Sequence, residues 1–266
     1  NPKLAINISN TDNLVLFDAG GKCYSYPVHK IPLCDKSNAG IDIRNLSAKF
    51  TSNIIGIYPE SVIKQLAESK QKMYVMVLSH LGFIKKMELD DFVSLTASGI
   101  FYTKLDQGDF VKTIIIGGDA LDVITFSDKR ALRFSAKEIP LVRRSARGVR
   151  SIGGKTVEYV DGMTLVAGKD ITDVVVVTKN GYLNRFNINA LPQSQRAKAG
   201  SSVVKLSKTD RINSIHIVNQ NDSIRLTTEN GMTDIKVSEL PVGSSISAGT
   251  KCISGKDTVV KAMIIK

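Results

Sequence analysis

The sequence predicts an all-β fold, a β-propeller of five or six blades with about four strands per repeat. Three observations lead there. The prolines Pro32, Pro140, Pro192 and Pro241, with Val93 in the remaining slot, are followed by Gly40, Gly148, Gly200, Gly249 and Gly99, eight residues on in four cases and six after Val93. Successive glycines lie 59, 49, 52 and 49 residues apart, and an apolar residue (Tyr26, Met87, Phe134, Phe186, Ile235) sits six positions before each proline slot. A regular period near fifty marks units that cannot bury their faces alone. Short apolar runs separated by tight turns make those units β. A linear β-solenoid is the alternative architecture; closure is favoured because a ring leaves few strand edges exposed.

The expected organisation is a single domain over 1–266, with repeats at about 10–60, 72–118, 120–169, 171–220 and 221–266. Leu4–Ser9 alternates like a strand that either helps to close the ring or is the remnant of a sixth repeat. In the first repeat Leu14–Phe17 and Lys22–Tyr26 flank the turn Asp18–Gly21, where glycine accepts positive φ. Ile41–Leu46 alternates like a further strand, and Ile54–Tyr58 supplies a fourth. Glu60–Lys72 has Val62, Ile63 and Leu66 at helical spacing, so a short surface helix accounts for the longest gap. The second repeat comprises Met73–Leu78 and Phe83–Met87, and its loop Ser94–Gly99 carries no basic residue. The third is Asp122–Ile152, completed by strands at Thr156–Tyr159 and Met163–Ala167. In the fourth, Asp173–Thr178 reads as a strand buried on both faces. The fifth runs from Ser223–Leu226 to a last strand at Thr258–Ile265. Asn180-Gly181 and Asn230-Gly231 are dipeptides of two-residue hairpin turns.

Composition bounds the function. With 42% hydrophobic residues and no tryptophan, the 266 residues can still build a packed core. No apolar run approaches the ~18 residues of a membrane helix, so no membrane partner is expected. Asn1 reads as a cut inside a longer protein. Cys23, Cys34 and Cys252 are odd in number and lack C-x-x-C spacing, which argues against a disulfide framework or a zinc site and for a reduced, cytoplasmic protein. His29, His80 and His216 stand singly, without the convergent partners that catalysis requires. No carboxylate pair, nucleophile motif or phosphate-cradling G-x-x-x-x-G-K-[ST] loop is present, so no cofactor and no catalytic residue are expected. Thirty-six Lys and Arg stand against 25 Asp and Glu, a net charge of +11 that attracts polyanions.

The run Asp122–Ile152, which contains RALRFSAKEIPLVRRSARGVR, together with DVVVVTKNGYLNRFNINALP at Asp173–Pro192 and IRLTTENGMTDIKVSELP at Ile224–Pro241, resembles the carboxy-terminal domain of the A subunit of bacterial type IIA topoisomerases, gyrase and topoisomerase IV. The resemblance extends over all five repeats. It implies a β-pinwheel whose basic outer rim bends or wraps duplex DNA beside the cleavage core. The implied partners are double-stranded DNA, the rest of the A subunit, plus the ATPase B subunit; the implied setting is cytoplasmic and nucleoid-associated. The DNA-cleaving tyrosine and the ATP site of that family lie outside this domain, so none of Tyr24, Tyr26, Tyr58, Tyr74, Tyr102, Tyr159 or Tyr182 is expected to be catalytic. Gyrase members carry a Q-R-R-G-G-K-G box in the first blade. Its counterpart here, Cys34–Gly40, keeps only the final glycine, while Val142–Gly148 in the third repeat comes nearest. That departure favours topoisomerase IV over gyrase.

The expected DNA contacts follow from charge placement. Lys36, Arg143, Arg144, Arg147, Arg196, Lys198 and Lys251 occupy or adjoin the loop between proline slot and glycine, and Lys86, Arg133 and Arg185 share one slot of the returning strand. Arg44, Lys85, Lys129, Arg130, Arg150, Lys179 and Lys205 complete the set. Four arginines between Arg143 and Arg150 repel one another unless an anion is near. Phosphate contacts of this kind hold DNA without reading its sequence. A platform for an acidic protein partner is the alternative.

Overall fold

Each repeat is built on an antiparallel hairpin, and in the first four the first strand is a mostly apolar run with consecutive buried residues. The computed structural model describes residues 6–35, 40–96, 98–154, 157–167, 173–255 and 257–265. The hairpins pair Asn13–Asp18 with Lys22–Pro27, Met73–Ser79 with Phe83–Glu88, Asp122–Phe126 with Ala131–Ser135, Asp173–Thr178 with Tyr182–Asn187, and Ser223–Thr228 with Met232–Lys236. An outer strand flanks the first strand in each case: Ile54–Pro59, Val111–Gly118, Gly162–Val166, Ile212–Val218 and Val259–Ile265. The register of outer strand against first strand shifts at Phe17/Asp18, Leu78/Ser79, Val177/Thr178 and Thr227/Thr228, so the bulge recurs at one place in the repeat. The all-β, five-sheet expectation holds.

After the returning strand the chain makes one 3-10 turn, Val28–Lys30, Leu89–Phe92, Ala136–Glu138, Ile188–Ala190 or Val237–Glu239, and reaches the proline slot. The loop beyond it ends at the periodic glycine. All five glycines have φ between 69° and 97°, a region that a Cβ disfavours. The reason for glycine is also spatial: a Cβ on Gly148 would stand 2.5 Å from the Ile84 carbonyl oxygen, and one on Gly249 2.5 Å from that of Leu183. At Gly99, Gly148, Gly200 and Gly249 the loop therefore crosses the preceding hairpin at backbone contact, and after Gly99 and Gly249 it lends that hairpin a strand. Ile100–Phe101 adds to Lys22–Cys23, and Thr250–Lys251 adds to Tyr182–Leu183. Parallel bridges Lys86–Leu141, Arg133–Gln193 and Arg185–Val242 fix the start of the loop in the same way.

The chain divides into two compact units, residues 1–79, 84–118 and 140–148 in the first and 80–83, 119–139 and 149–266 in the second. In the first, Phe17 stands at the centre of a cluster with Val15, Val75, Val77 and Phe92, its ring edge-on to Tyr58 and Tyr102. In the second, the run Asp173–Thr178 serves two clusters. Val174 and Val176 pack with Ile124, Phe186 and Ile215, whereas Val175 and Val177 pack with Leu183, Ile224 and Leu226. That is why the run lacks alternation.

Several expectations are corrected. Residues 41–46 are not a strand: Asp42 accepts the Arg44 amide as an N-cap and starts the short helix Ile43–Leu46. Ile6–Ser9 form no strand, and Leu4 and Ala5 lie outside the described residues. No strand forms at 157–159 either, and Thr156 lies outside the described residues. The surface helix is Glu60–Ala67 rather than 60–72; its buried Glu60 accepts from Asn13 Nδ2 and the Ser94 amide and pairs with Lys64 at 3.0 Å. Neither Asn180 nor Asn230 adopts the positive φ that a two-residue primed turn needs, and only Gly181 of the two paired glycines does.

Candidate nucleic-acid interface

Two slots of the returning strand carry cations that the fold turns inward. The residue just before the apolar anchor is Lys86, Arg133 or Arg185 in the middle three repeats. Arg185 is 3% exposed. Its Nε donates to Asp173 at 2.8 Å, and its Nη1 donates to the carbonyls of Val237 and Leu240, which bracket the 3-10 turn of the following repeat. Arg133 repeats the arrangement with Asp122 and the carbonyls of Ile188 and Leu191. Lys86 is buried, with its Nζ 4.9 Å from the centre of the Tyr74 ring. One residue earlier, Lys85 is fully buried and donates to backbone carbonyls. Lys85, Lys86 and Arg185 are therefore corrected: their side chains are buried and cannot face phosphate at the surface, and those of Lys85 and Arg185 are consumed in holding the next segment. Arg133, about one-fifth exposed, is committed in the same way.

The loop Leu141–Gly148 presents cations at the surface. Arg143 is exposed and Arg144 half-buried, and both line a cleft of about 1100 Å³ in the first unit. Lys104, Phe101, Thr103 and Asp91 also line it, so three cations face one carboxylate. Phe101 is 65% exposed, with the Lys22 ammonium 5.2 Å from its ring centre. Arg147 is exposed and pairs with Asp106. Lys104 and Lys22 are not among the residues the charge pattern places at the interface. Lys104 stands five residues after Gly99, as Lys205 stands after Gly200, so the repeat frame itself carries the signal.

In the second unit Lys205 and Lys251 line a cleft of about 560 Å³ with Tyr182, Asp210 and Asp257, a mixed rather than basic lining. Lys251 lies 5.0 Å over the Tyr182 ring and donates to the Asn180 carbonyl. Arg150 lies 5.0 Å over Phe83 and donates to the Leu81 carbonyl, and Arg130 donates to the Gly200 carbonyl at 2.9 Å. Each of these three clasps a point where a loop joins a hairpin, while Arg150 and Lys251 stay exposed. Arg196 is half-buried and donates from its amide to Glu138 and from Nε to the Glu138 carbonyl. Lys198 and Lys129 are exposed, Lys179 is half-buried, and exposed Arg44 is forked onto Asp42, holding that carboxyl down at about 2. Lys36 lies outside the described residues.

Among the described residues no three His, Cys, Asp or Glu gather in a metal-binding group. Cys23 is buried and its thiol is pushed up to about 12 by desolvation, as for an inert core residue. Buried Tyr24 and Tyr102 donate to the Asp18 side chain and the Asp18 carbonyl. His80 stacks on Tyr159, and desolvation lowers His216 to about 4. No described helix is long and apolar enough to cross a membrane.

A family described as the DNA gyrase C-terminal domain, beta-propeller, matches residues 74–116, 122–161 and 172–219. The DNA gyrase A subunit of Dehalogenimonas lykanthroporepellens is 26% identical over 257 residues, 93% of this chain and 29% of that protein. Its counterpart in Ureaplasma parvum is 26% identical over 271 residues, 99% of this chain and 31% of its own. The chain thus spans less than a third of the length of these curated relatives. The crystal structure of the C-terminal domain of DNA topoisomerase IV superposes with a TM-score of 0.84 at 22% identity, covering 97% of this chain and 80% of that one. The DNA gyrase A C-terminal domain gives 0.77 at 21% identity, covering 97% and 84%. The five sheets are blades of this propeller fold.

Proposed function

Because this chain belongs to the DNA gyrase A C-terminal domain family, we propose that it is a non-catalytic, cofactor-free module that binds duplex DNA and bends or wraps it for an ATP-dependent type IIA topoisomerase. Its partners on this reading are DNA, the ATPase B subunit, plus the remainder of the A subunit. One observation carries the reading: the loop at Arg143–Arg147 and the neighbouring Lys104 put cations around one cleft, where Asp91 is the acid in the lining and Asp106 pairs with Arg147. Such a surface suits a phosphate backbone, whose contacts give affinity without sequence readout. Bending a 20 to 30 base-pair site costs on the order of 1 to 6 kcal/mol, which several Lys and Arg contacts can offset.

The Arg143, Arg144, Arg147→Ala variant should bind duplex DNA more weakly. Its log K against log salt should be shallower by roughly 0.9 for each phosphate contact removed. An unchanged slope at full affinity would remove the loop from the interface. A linking-number assay on closed circular DNA separates the two finer readings. A directional shift that grows with protein means chiral wrapping of the gyrase kind, and salt-sensitive binding without a shift means planar bending of the topoisomerase IV kind.

A further inference from the structure

Lys85 is a charged side chain with no carboxylate among its hydrogen-bond partners, sealed in the first unit. An ammonium has three protons to give and accepts nothing, so burial is tolerable only if every proton finds an acceptor. Here the acceptors are main-chain oxygens: Tyr102 at 2.8 Å, Ala146 at 2.8 Å, Arg144 at 3.1 Å and Arg143 at 3.4 Å. Three of those four carbonyls belong to the loop that carries the exposed arginines. The segment is thus folded around the ammonium, with its carbonyls pointing in and the side chains of Arg143 and Arg147 exposed.

The fourth repeat offers an independent copy of this geometry. Asn184 occupies the same slot, two residues before the apolar anchor, and is 1% exposed. Its Nδ2 donates to the carbonyls of Val203 at 3.1 Å, Ser244 at 3.1 Å and Ser245 at 3.4 Å, and its Oδ1 accepts from Ser247 Oγ. Counted from the proline, Ser244, Ser245 and Ser247 are the counterparts of Arg143, Arg144 and Ala146; counted from the glycine, Val203 is that of Tyr102. Two chemically different side chains therefore meet the same three main-chain carbonyls, and at the fourth position Lys85 meets a carbonyl where Asn184 meets a serine hydroxyl. The task attached to the slot is to gather the loop's carbonyls, not to supply surface charge.

We infer that Lys85 is the positioning residue of the proposed DNA-binding loop: without touching DNA, it holds the Arg143–Ala146 backbone in the shape that aims the arginines outward. The inference rests on the DNA-binding reading. Desolvation lowers the Lys85 ammonium to about 8, so near pH 7 it is still mainly charged and the carbonyls serve a cation.

The test compares Lys85→Met with the Arg143→Ala/Arg144→Ala variant in this chain. Amide hydrogen exchange is read over 142–148, and duplex affinity is read at fixed salt. For Lys85→Met, exchange in that segment should accelerate with no DNA present, and affinity should fall about tenfold, the loss expected for one hydrogen-bonded charge contact. Lys85→Asn, copying the Asn184 arrangement, should recover part of both, and it replaces the methionine variant with the same readouts should that variant not fold. Unchanged loop exchange in Lys85→Met, or in Lys85→Asn where it stands in for that variant, overturns the positioning role. So does faster exchange with full affinity while the arginine variant binds poorly. If the arginine variant also keeps full affinity, the failure lies with the DNA reading of this loop and takes the inference with it.

Discussion

Arg185 and Arg225 show how one residue type is worth different amounts in different places. Arg185 and Asp173 are 3% and 13% exposed as side chains, whereas Arg225 and Asp234 are 23% and 47% exposed. Removing one partner of a buried pair strands a charge and typically costs about 3–5 kcal/mol, whereas a solvent-screened pair contributes little. Asp173→Ala should therefore lower the denaturant midpoint clearly, and Asp234→Ala should leave it nearly unchanged. The periodic glycines give a second contrast. Gly249→Ala adds a Cβ 2.5 Å from the Leu183 carbonyl on top of an unfavourable φ, whereas a Cβ on Gly40 meets nothing within 4 Å. Thermal unfolding should show a large loss for the first and only the ~1–2 kcal/mol conformational term for the second. At this scale the sequence is least legible. Lys85 and Arg185 read as surface charge because the carbonyls that hold their side chains lie about 50 to 60 residues further along, at Arg143 and Leu240.

At the scale of the element, hairpins are legible because their signals are local: an apolar run, a turn and a return. The unbroken apolar run of Asp173–Thr178 suffices to show burial on both faces. Ile41–Leu46 is deceptive because alternation over six residues also fits a capped helical turn, and the Asp42 side chain decides between them. The lent strands cannot be read at all, since two residues such as Ile100–Phe101 carry no periodicity. The outer strand Ile212–Val218 has a consequence for pH. His216 is held at about 4 by desolvation, against 6.5 in the unfolded chain. Between those values the unfolded state takes up a proton that the native state refuses, so stability is full above pH 6.5 and declines as pH falls towards 4. Denaturant midpoints at about pH 7 and about pH 4.5 should differ less in His216→Gln than in the parent chain.

For the molecule as a whole, the period, the fold class and the charge of +11 are all present in the sequence, and they are what supports the proposal of a polyanion as ligand. Which cations serve is not, because a repeat spends some of its Lys and Arg on joining itself to its neighbour. The loan of strands between repeats also bears on synthesis. The edge of Lys22–Cys23 is filled by Ile100–Phe101, and that of Tyr182–Leu183 by Thr250–Lys251. On a ribosome adding ~5–20 residues per second, each of these hairpins waits several seconds for its last strand. While either of these two blades is the newest on the growing chain it is one strand short, with a bare edge that a chaperone or a neighbouring nascent chain can reach before its own sequel does.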